Sequence, residues 1–190
     1  MTQQAISKTV KEISDLLQQA ANMNYIGEPI SQLEHALQAA HFATKDGLDN
    51  EGILAALLHD IGHLIEPEKQ SAMGKYGVAD HEKLCAQYLR NKGFSEKIAG
   101  LITGHVVAKR YLVTTSESYY QRLSPASRKT LEYQGGKMNQ AELTEFRKQP
   151  YFREILQVRL CDEKAKEIDL PCAGLNTYIP LIKQHLTAQD

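Results

Sequence analysis

Tryptophan is absent, cysteine occurs only three times, and no apolar run approaches the length of a membrane span. Cys85, Cys161 and Cys172 are odd in number and show no Cys-x-x-Cys spacing. That pattern argues against a disulfide framework and a thiolate zinc site, and reduced thiols point to the cytoplasm. The longest purely apolar stretch, Ile53 to Leu58, is far short of the roughly 20 residues a bilayer requires, and the N-terminal segment is polar, then amphipathic. Neither a signal peptide nor a membrane association is expected. Charge of one sign is also missing, with 22 basic residues against 23 acidic ones and no long block of either. This leaves no footprint for nucleic acid and favours a small-molecule partner; no obligatory protein partner is evident.

Strand-like alternation is lacking as well. Ile6, Val10, Ile13 and Leu17 recur at helical steps, and the expected fold class is all-α. Ser31-Gln32-Leu33-Glu34 reads as a capping box that opens a helix running towards Gly47 and places His35 in its first turn or two. Asp49 can cap a third helix, apolar all round and so central, which His59-Asp60 closes. Further helices are predicted around 80 to 91, 95 to 113, 151 to 166 and 175 to 187. Asp80 is assigned as an N-cap rather than a ligand. Residues 116–150 are polar and broken into short helical pieces, and we read residues 1–190 as one compact domain with 116–150 as a cap.

The chemistry lies in histidine and aspartate. A lone His-Asp pair is a weak signal, because seven His and eight Asp would produce about 0.3 such pairs by chance. Its setting is stronger. His81 shares a helical stripe with Leu84, Cys85, Tyr88 and Leu89; His105 shares one with Ile98, Leu101, Ile102 and Leu112; and Asp162 shares one with Phe152, Ile155 and Arg159. His35, His59, Asp60, His81, His105 and Asp162 thus turn inward from separate helices, where burial is costly unless a shared ion neutralises it. Any single histidine could instead be a core residue bonded to a backbone carbonyl. Nitrogen and oxygen donors without thiolate suit iron or manganese, and Asp60 could bridge two ions. One ion would then take His35, His59 and Asp162, and the other His81 and His105. His41 and His185 are not needed for this set and are expected to be ordinary surface or partly buried residues.

The ordered set His35, His59-Asp60, His81, His105, Asp162, with His59-Asp60-Ile61-Gly62-His63, resembles the HD-domain superfamily, most of whose members are phosphohydrolases. The two extra histidines resemble its dinuclear branch, and the Gly-Tyr-Pro motif of cyclic-dinucleotide phosphodiesterases is missing. Asn24-Tyr25-Ile26-Gly27-Glu28-Pro29 and Gly104-His105-Val106-Val107-Ala108-Lys109 extend the resemblance, over nearly the whole length, to the diiron oxygenases that convert 2-amino-1-hydroxyethylphosphonate to glycine and phosphate. That resemblance implies a mixed-valence Fe(II)/Fe(III) pair bridged by Asp60, with O2 as co-substrate.

Lys109 follows His105 by four residues and Arg159 precedes Asp162 by three, so each cation shares a helical face with a ligand candidate. From spacing alone they could equally form structural salt bridges, and Ser127 could simply start a helix after Pro125. The resemblance implies that His63, Lys109, Ser127, Gln134 and Arg159 hold the phosphonate, that Glu28 pairs with a substrate ammonium, and that Tyr25 gates the site as a transient metal ligand. A dinuclear phosphohydrolase acting on a nucleotide or phosphomonoester needs the same six ligands. A metal-loaded scaffold or sensor is a third possibility.

Overall fold

The computed structural model describes residues 1–25, 27–65, 71–74 and 76–189, so Ile26 of the resemblance motif lies outside the described residues. Helix α1 (Gln3–Gln19) starts where the Thr2 hydroxyl accepts from Ala5 N–H, and it buries Ile6, Ile13 and Leu17. A loop with an isolated antiparallel bridge, Asn24 to Ser31, leads to α2 (Gln32–Lys45). The capping box forms there: Ser31 accepts from Glu34 N–H, and the Glu34 carboxylate accepts from Ser31 N–H.

Helix α3 (Asn50–Leu58) is capped by Asp49, and its residues from Gly52 to Leu58 are all buried. With no polar face of its own it lies at the centre, packed against α2, α5, α9 and α10. A 3-10 turn (Ile61–Leu64) leads towards α4 (His81–Asn91), and α5 (Glu96–Thr115) follows, capped by Ser95. Three short helices, α6 (Glu117–Arg122), α7 (Pro125–Tyr133) and α8 (Gln140–Phe146), occupy the segment read as broken and polar. Helices α9 (Phe152–Lys164) and α10 (Ile179–Ala188) complete an all-α fold with no strand among the described residues. The last predicted helix, 175 to 187, is interrupted: a 3-10 turn (Leu175–Thr177) precedes α10, which has Pro180 in its first turn.

One apolar cluster runs from Ile6 to Leu186 and draws on α1 to α5, α8, α9 and α10. A second, much smaller cluster of Val113, Tyr119, Leu123 and Leu131 packs α6 and α7 onto the end of α5. Asp80 corrects the sequence reading in part. It stands at the N-cap position of α4, but with a left-handed backbone (φ 55°) and no capping bond from its side chain, which pairs with Lys83 instead. His185 is buried, accepts from Ser95 N–H at 3.2 Å and stacks on Phe94, so it serves the packing of α10.

Candidate metal centre

The six candidate ligands converge from five segments: His35 on α2, His59 and Asp60 at the end of α3, His81 opening α4, His105 on α5 and Asp162 on α9. All four imidazoles and Asp162 are buried, with at most 4% of any one exposed. Local geometry fixes most of their rings. The Nδ1 atoms of His59, His81 and His105 lie 2.8, 3.3 and 2.6 Å from the carbonyls of Ala56, Val78 and Ile102, each three residues earlier. His35 differs: its Nδ1 faces the carbonyl of Ala165, 2.7 Å away and beyond the end of α9. A carbonyl only accepts, so each Nδ1 carries the hydrogen and each Nε2 presents a lone pair.

These lone pairs face one another. His35 Nε2 and His59 Nε2 are 3.1 Å apart, and His81 Nε2 and His105 Nε2 are 3.2 Å apart. Asp60 lies between the pairs, with Oδ2 3.6 and 3.4 Å from His35 and His59, and Oδ1 3.2 and 3.8 Å from His81 and His105. Asp162 Oδ1 adds a donor 3.5 Å from His35 Nε2 and is otherwise buried without a hydrogen-bond partner. Opposed lone pairs and an orphaned carboxylate oxygen are stable only around positive charge. Burial raises the pKa of Asp60, but His59 and His81 outweigh it and hold the carboxyl well below the usual range. For Asp162, burial is likewise outweighed by Arg159 and His59. In the metal-free protein that demand falls on His59, whose pKa burial would lower but which Asp60 and Asp162 raise well above its ordinary value. Two cations on either side of Asp60 would satisfy it directly, and the donor set fits a dinuclear site.

Asp60, His81, His105 and Asp162 line a cavity of about 50 Å³ together with Tyr25, Glu28, His63, Lys109, Ser127 and Gln134. His63 lies near enough to Asp60 and His81 to resemble another ligand. Its Nδ1, however, accepts from Val78 N–H at 3.1 Å, and burial together with His81 pushes its pKa down to about 3. A neutral ring with Nδ1 accepting carries its hydrogen on Nε2, which makes it a donor. Glycine at 62 permits this approach: a Cβ there would stand 2.0 Å from the His81 carbonyl oxygen, so any side chain would force the turn away from α4.

The two cations differ. Arg159 is spent on neighbours, donating from Nε to the Tyr119 hydroxyl at 2.8 Å and from its two terminal nitrogens to Asp162 and Glu163. The salt-bridge alternative therefore describes its contacts. Lys109 has no carboxylate partner within 4.0 Å among the described residues and donates to Thr130 Oγ1 at 2.9 Å. Burial, then Arg159, lowers its pKa to about 7.

In the same cavity, Glu28 Oε1 and Gln134 Oε1 are buried acceptors with no partner among the described residues. Gly27 brings the Glu28 loop in at φ 76°, where a Cβ would meet Ala126 of α7 at 2.7 Å. Tyr25 stacks on His35, with ring centroids 3.7 Å apart. Burial, then Asp162 and Asp60, raises its pKa well above the ordinary value and keeps its hydroxyl protonated.

Sequence reasoning missed Tyr119, Thr130, Glu163 and Lys166, all hydrogen-bonded around this cavity. The i, i+4 step from Arg159 to Glu163 and the i, i+3 step from Glu163 to Lys166 were readable, whereas Tyr119 and Thr130 carried no signal.

The HD domain family model matches residues 33–134, which includes five of the six candidate ligands and stops short of Asp162. An uncharacterized protein of Acanthamoeba polyphaga mimivirus is 43% identical over 183 residues, spanning 96% of this chain and 84% of its own. The [1-hydroxy-2-(trimethylamino)ethyl]phosphonate dioxygenase (glycine-betaine-forming) of Leisingera caerulea is 35% identical over 92% of this chain and 89% of its own. The hydroxymethylphosphonate dioxygenase of Gimesia maris is 38% identical over 92% and 88%. With the His-Asp pair at the centre of an all-helical fold and a family match covering more than half its length, this chain belongs to the HD-domain family.

Proposed function

We propose that this protein is a non-haem diiron dioxygenase that cleaves the carbon–phosphorus bond of 2-amino-1-hydroxyethylphosphonate with O2, giving glycine and phosphate in organophosphonate catabolism. In this reading residues 1–190 act as one domain, with 116–150 as a cap on the cavity. The similarity to two phosphonate dioxygenases supports the reaction class, and the polarity of the cavity supports the substrate. Lys109 offers a cation with no carboxylate partner among the described residues, and Glu28 Oε1 and Gln134 Oε1, which line the same cavity, lack a hydrogen donor among them. The unpartnered Glu28 oxygen is the observation that carries the assignment, because a primary ammonium supplies both a hydrogen and the opposite charge. A trimethylated nitrogen has no hydrogen to give, and hydroxymethylphosphonate has no nitrogen at all.

In this assignment His35, His59 and Asp162 would hold one ion and His81 and His105 the other, with Asp60 lying between the two sets. An Fe(II)/Fe(III) pair held there would supply Lewis acidity and the redox capacity for O2 chemistry. Lys109, Ser127 and the Nε2–H of His63 bind the oxyanion, Gln134 adds a neutral acceptor, and Arg159 holds Asp162 in place. Tyr25, lying across His35, covers the site until substrate enters.

Anaerobic and aerobic assays test the reaction class: glycine and phosphate should form only with O2, one of each per O2 consumed. Phosphate release in the absence of air would refute it. The substrate is tested by Glu28→Gln, which should raise KM for the amino substrate by roughly ten- to a hundredfold, the range for a hydrogen bond to a charged group. Turnover of hydroxymethylphosphonate should be unaffected. Equal loss on both substrates would remove Glu28 from the ammonium site.

A further inference from the structure

Lys166 lies two residues past the end of α9, outside the cavity wall, with 13% of its side chain exposed. Its ammonium donates to Glu163 Oε1 at 2.8 Å and to Ser127 Oγ at 2.9 Å. The segment bearing it is clamped to α2 on both sides. The Ala165 carbonyl faces His35 Nδ1, and Glu167 exchanges two hydrogen bonds with the Gln38 amide, at 2.7 and 3.0 Å. Lys166 therefore reaches the cap from a base that is already fixed.

Ser127 does line the cavity, on the first turn of α7. A hydroxyl has one hydrogen and two lone pairs. Where an ammonium occupies a lone pair of Ser127 Oγ, the oxygen is an acceptor on that side and its hydrogen must point elsewhere. Among the described residues no acceptor for that hydrogen is recorded. Thr130 one turn on shows the same arrangement closed off: Lys109 donates to its Oγ1, which in turn donates to the Ser127 carbonyl at 3.1 Å. The two lysines thus organise two hydroxyls of α7, but only that of Ser127 keeps its hydrogen for a ligand.

We infer that Lys166 is a positioning residue for oxyanion binding, holding Ser127 Oγ as an acceptor so that the Ser127 hydroxyl donates into the cavity. A donor whose oxygen already accepts from a cation is polarised and pre-aimed, which strengthens its bond to an anion and lowers the cost of ordering it. Glu163, shared between Lys166 and Arg159, keeps both cations turned to their tasks. This rests on the function proposed above only in taking the ligand to be a tetrahedral oxyanion.

The test uses iron-loaded protein titrated calorimetrically with inorganic phosphate, without turnover, alongside KM and kcat for the phosphonate. Lys166→Met should weaken phosphate binding about tenfold, the loss of one charge-supported hydrogen bond, and raise KM while leaving kcat at saturation within about twofold. Lys166→Arg should recover most of the affinity. In the double variant Lys166→Met/Ser127→Ala, phosphate binding should be no weaker than in Ser127→Ala alone, because the lysine acts through the serine.

Unchanged phosphate affinity in Lys166→Met, or losses that add in full in the double variant, would overturn the inference. If Lys166→Met proves unfolded by circular dichroism, Lys166→Gln carries the same comparison. Absence of carbon–phosphorus cleavage with the phosphate results as expected would refute the proposed reaction and leave the role of Lys166 standing.

Discussion

The helical core and the cap are held together by different forces. The candidate metal ligands stand on or beside elements of the large apolar cluster; the four imidazoles are locked by backbone carbonyls, Asp162 is held by Arg159, and Asp60 lies among the imidazoles. Within the cap, α8 and the turn before it join the large cluster through Met138, Leu143 and Phe146, whereas α6 and α7 have only the four-residue cluster around Tyr119 and Leu131 and are tied to the ion site by side-chain bonds: Thr130 from Lys109, Ser127 from Lys166, and Tyr119 from Arg159. Close packing resists displacement in every direction, while a few polar links can break one at a time. The proposed chemistry would draw on that contrast, since the ions must stay on the closely packed core while the substrate must enter past α6 and α7.

That contrast can be broken most severely at Gly62. Gly62→Ala places a Cβ against the His81 carbonyl and should displace the turn bearing His63 from the start of α4, costing about 3 kcal/mol or more. Loss of bound iron by elemental analysis, together with a lowered Tm, is the expected result. Full iron content would mean that the core is more pliable than its packing implies.

A smaller and opposite effect is expected from Leu131→Ala, which removes a buried side chain from the cap cluster. It should cost roughly 2 kcal/mol or more locally, accelerating hydrogen exchange across α6 and α7 and raising KM several-fold. Iron content should be unchanged, and any loss of iron would erase the distinction between core and cap.

The smallest effect is a matter of pH. With its pKa lowered from 10.5 to about 7, Lys109 is charged below that value and loses its charge as pH rises through it. Sulfate, which does not itself titrate, should therefore bind the iron-loaded protein progressively more weakly above pH 7, approaching about tenfold per unit. Lys109→Arg should bind with no such decline, and a declining curve for that variant would assign the pH dependence to another group. The sign for stability is opposite. Between 7 and 10.5 the unfolded chain holds a proton on Lys109 that the folded one does not, so this group's contribution to stability increases with pH.

Much of the ion cradle was legible because its determinants are local. His59, His81 and His105 each turn Nδ1 to a carbonyl three residues back, and helical stripes aim His105 and Asp162 inward. Periodicity and capping rules encode such relations within a single turn. Lys109 and Arg159 show where this stops. Both were visible as inward cations, but only the packed structure gives Arg159 three partners and leaves Lys109 with a threonine.

By itself, the sequence determined an all-helical chain with imidazoles and carboxylates directed to one interior, since helix period and burial penalties are properties of short segments. Tertiary structure alone decided that Ala165 would orient His35, that Gly27 would seat the Glu28 loop against α7, and that Lys166 would reach Ser127. Those contacts join residues far apart in the chain. Their formation depends on how whole helices pack, which no local pattern of residues records.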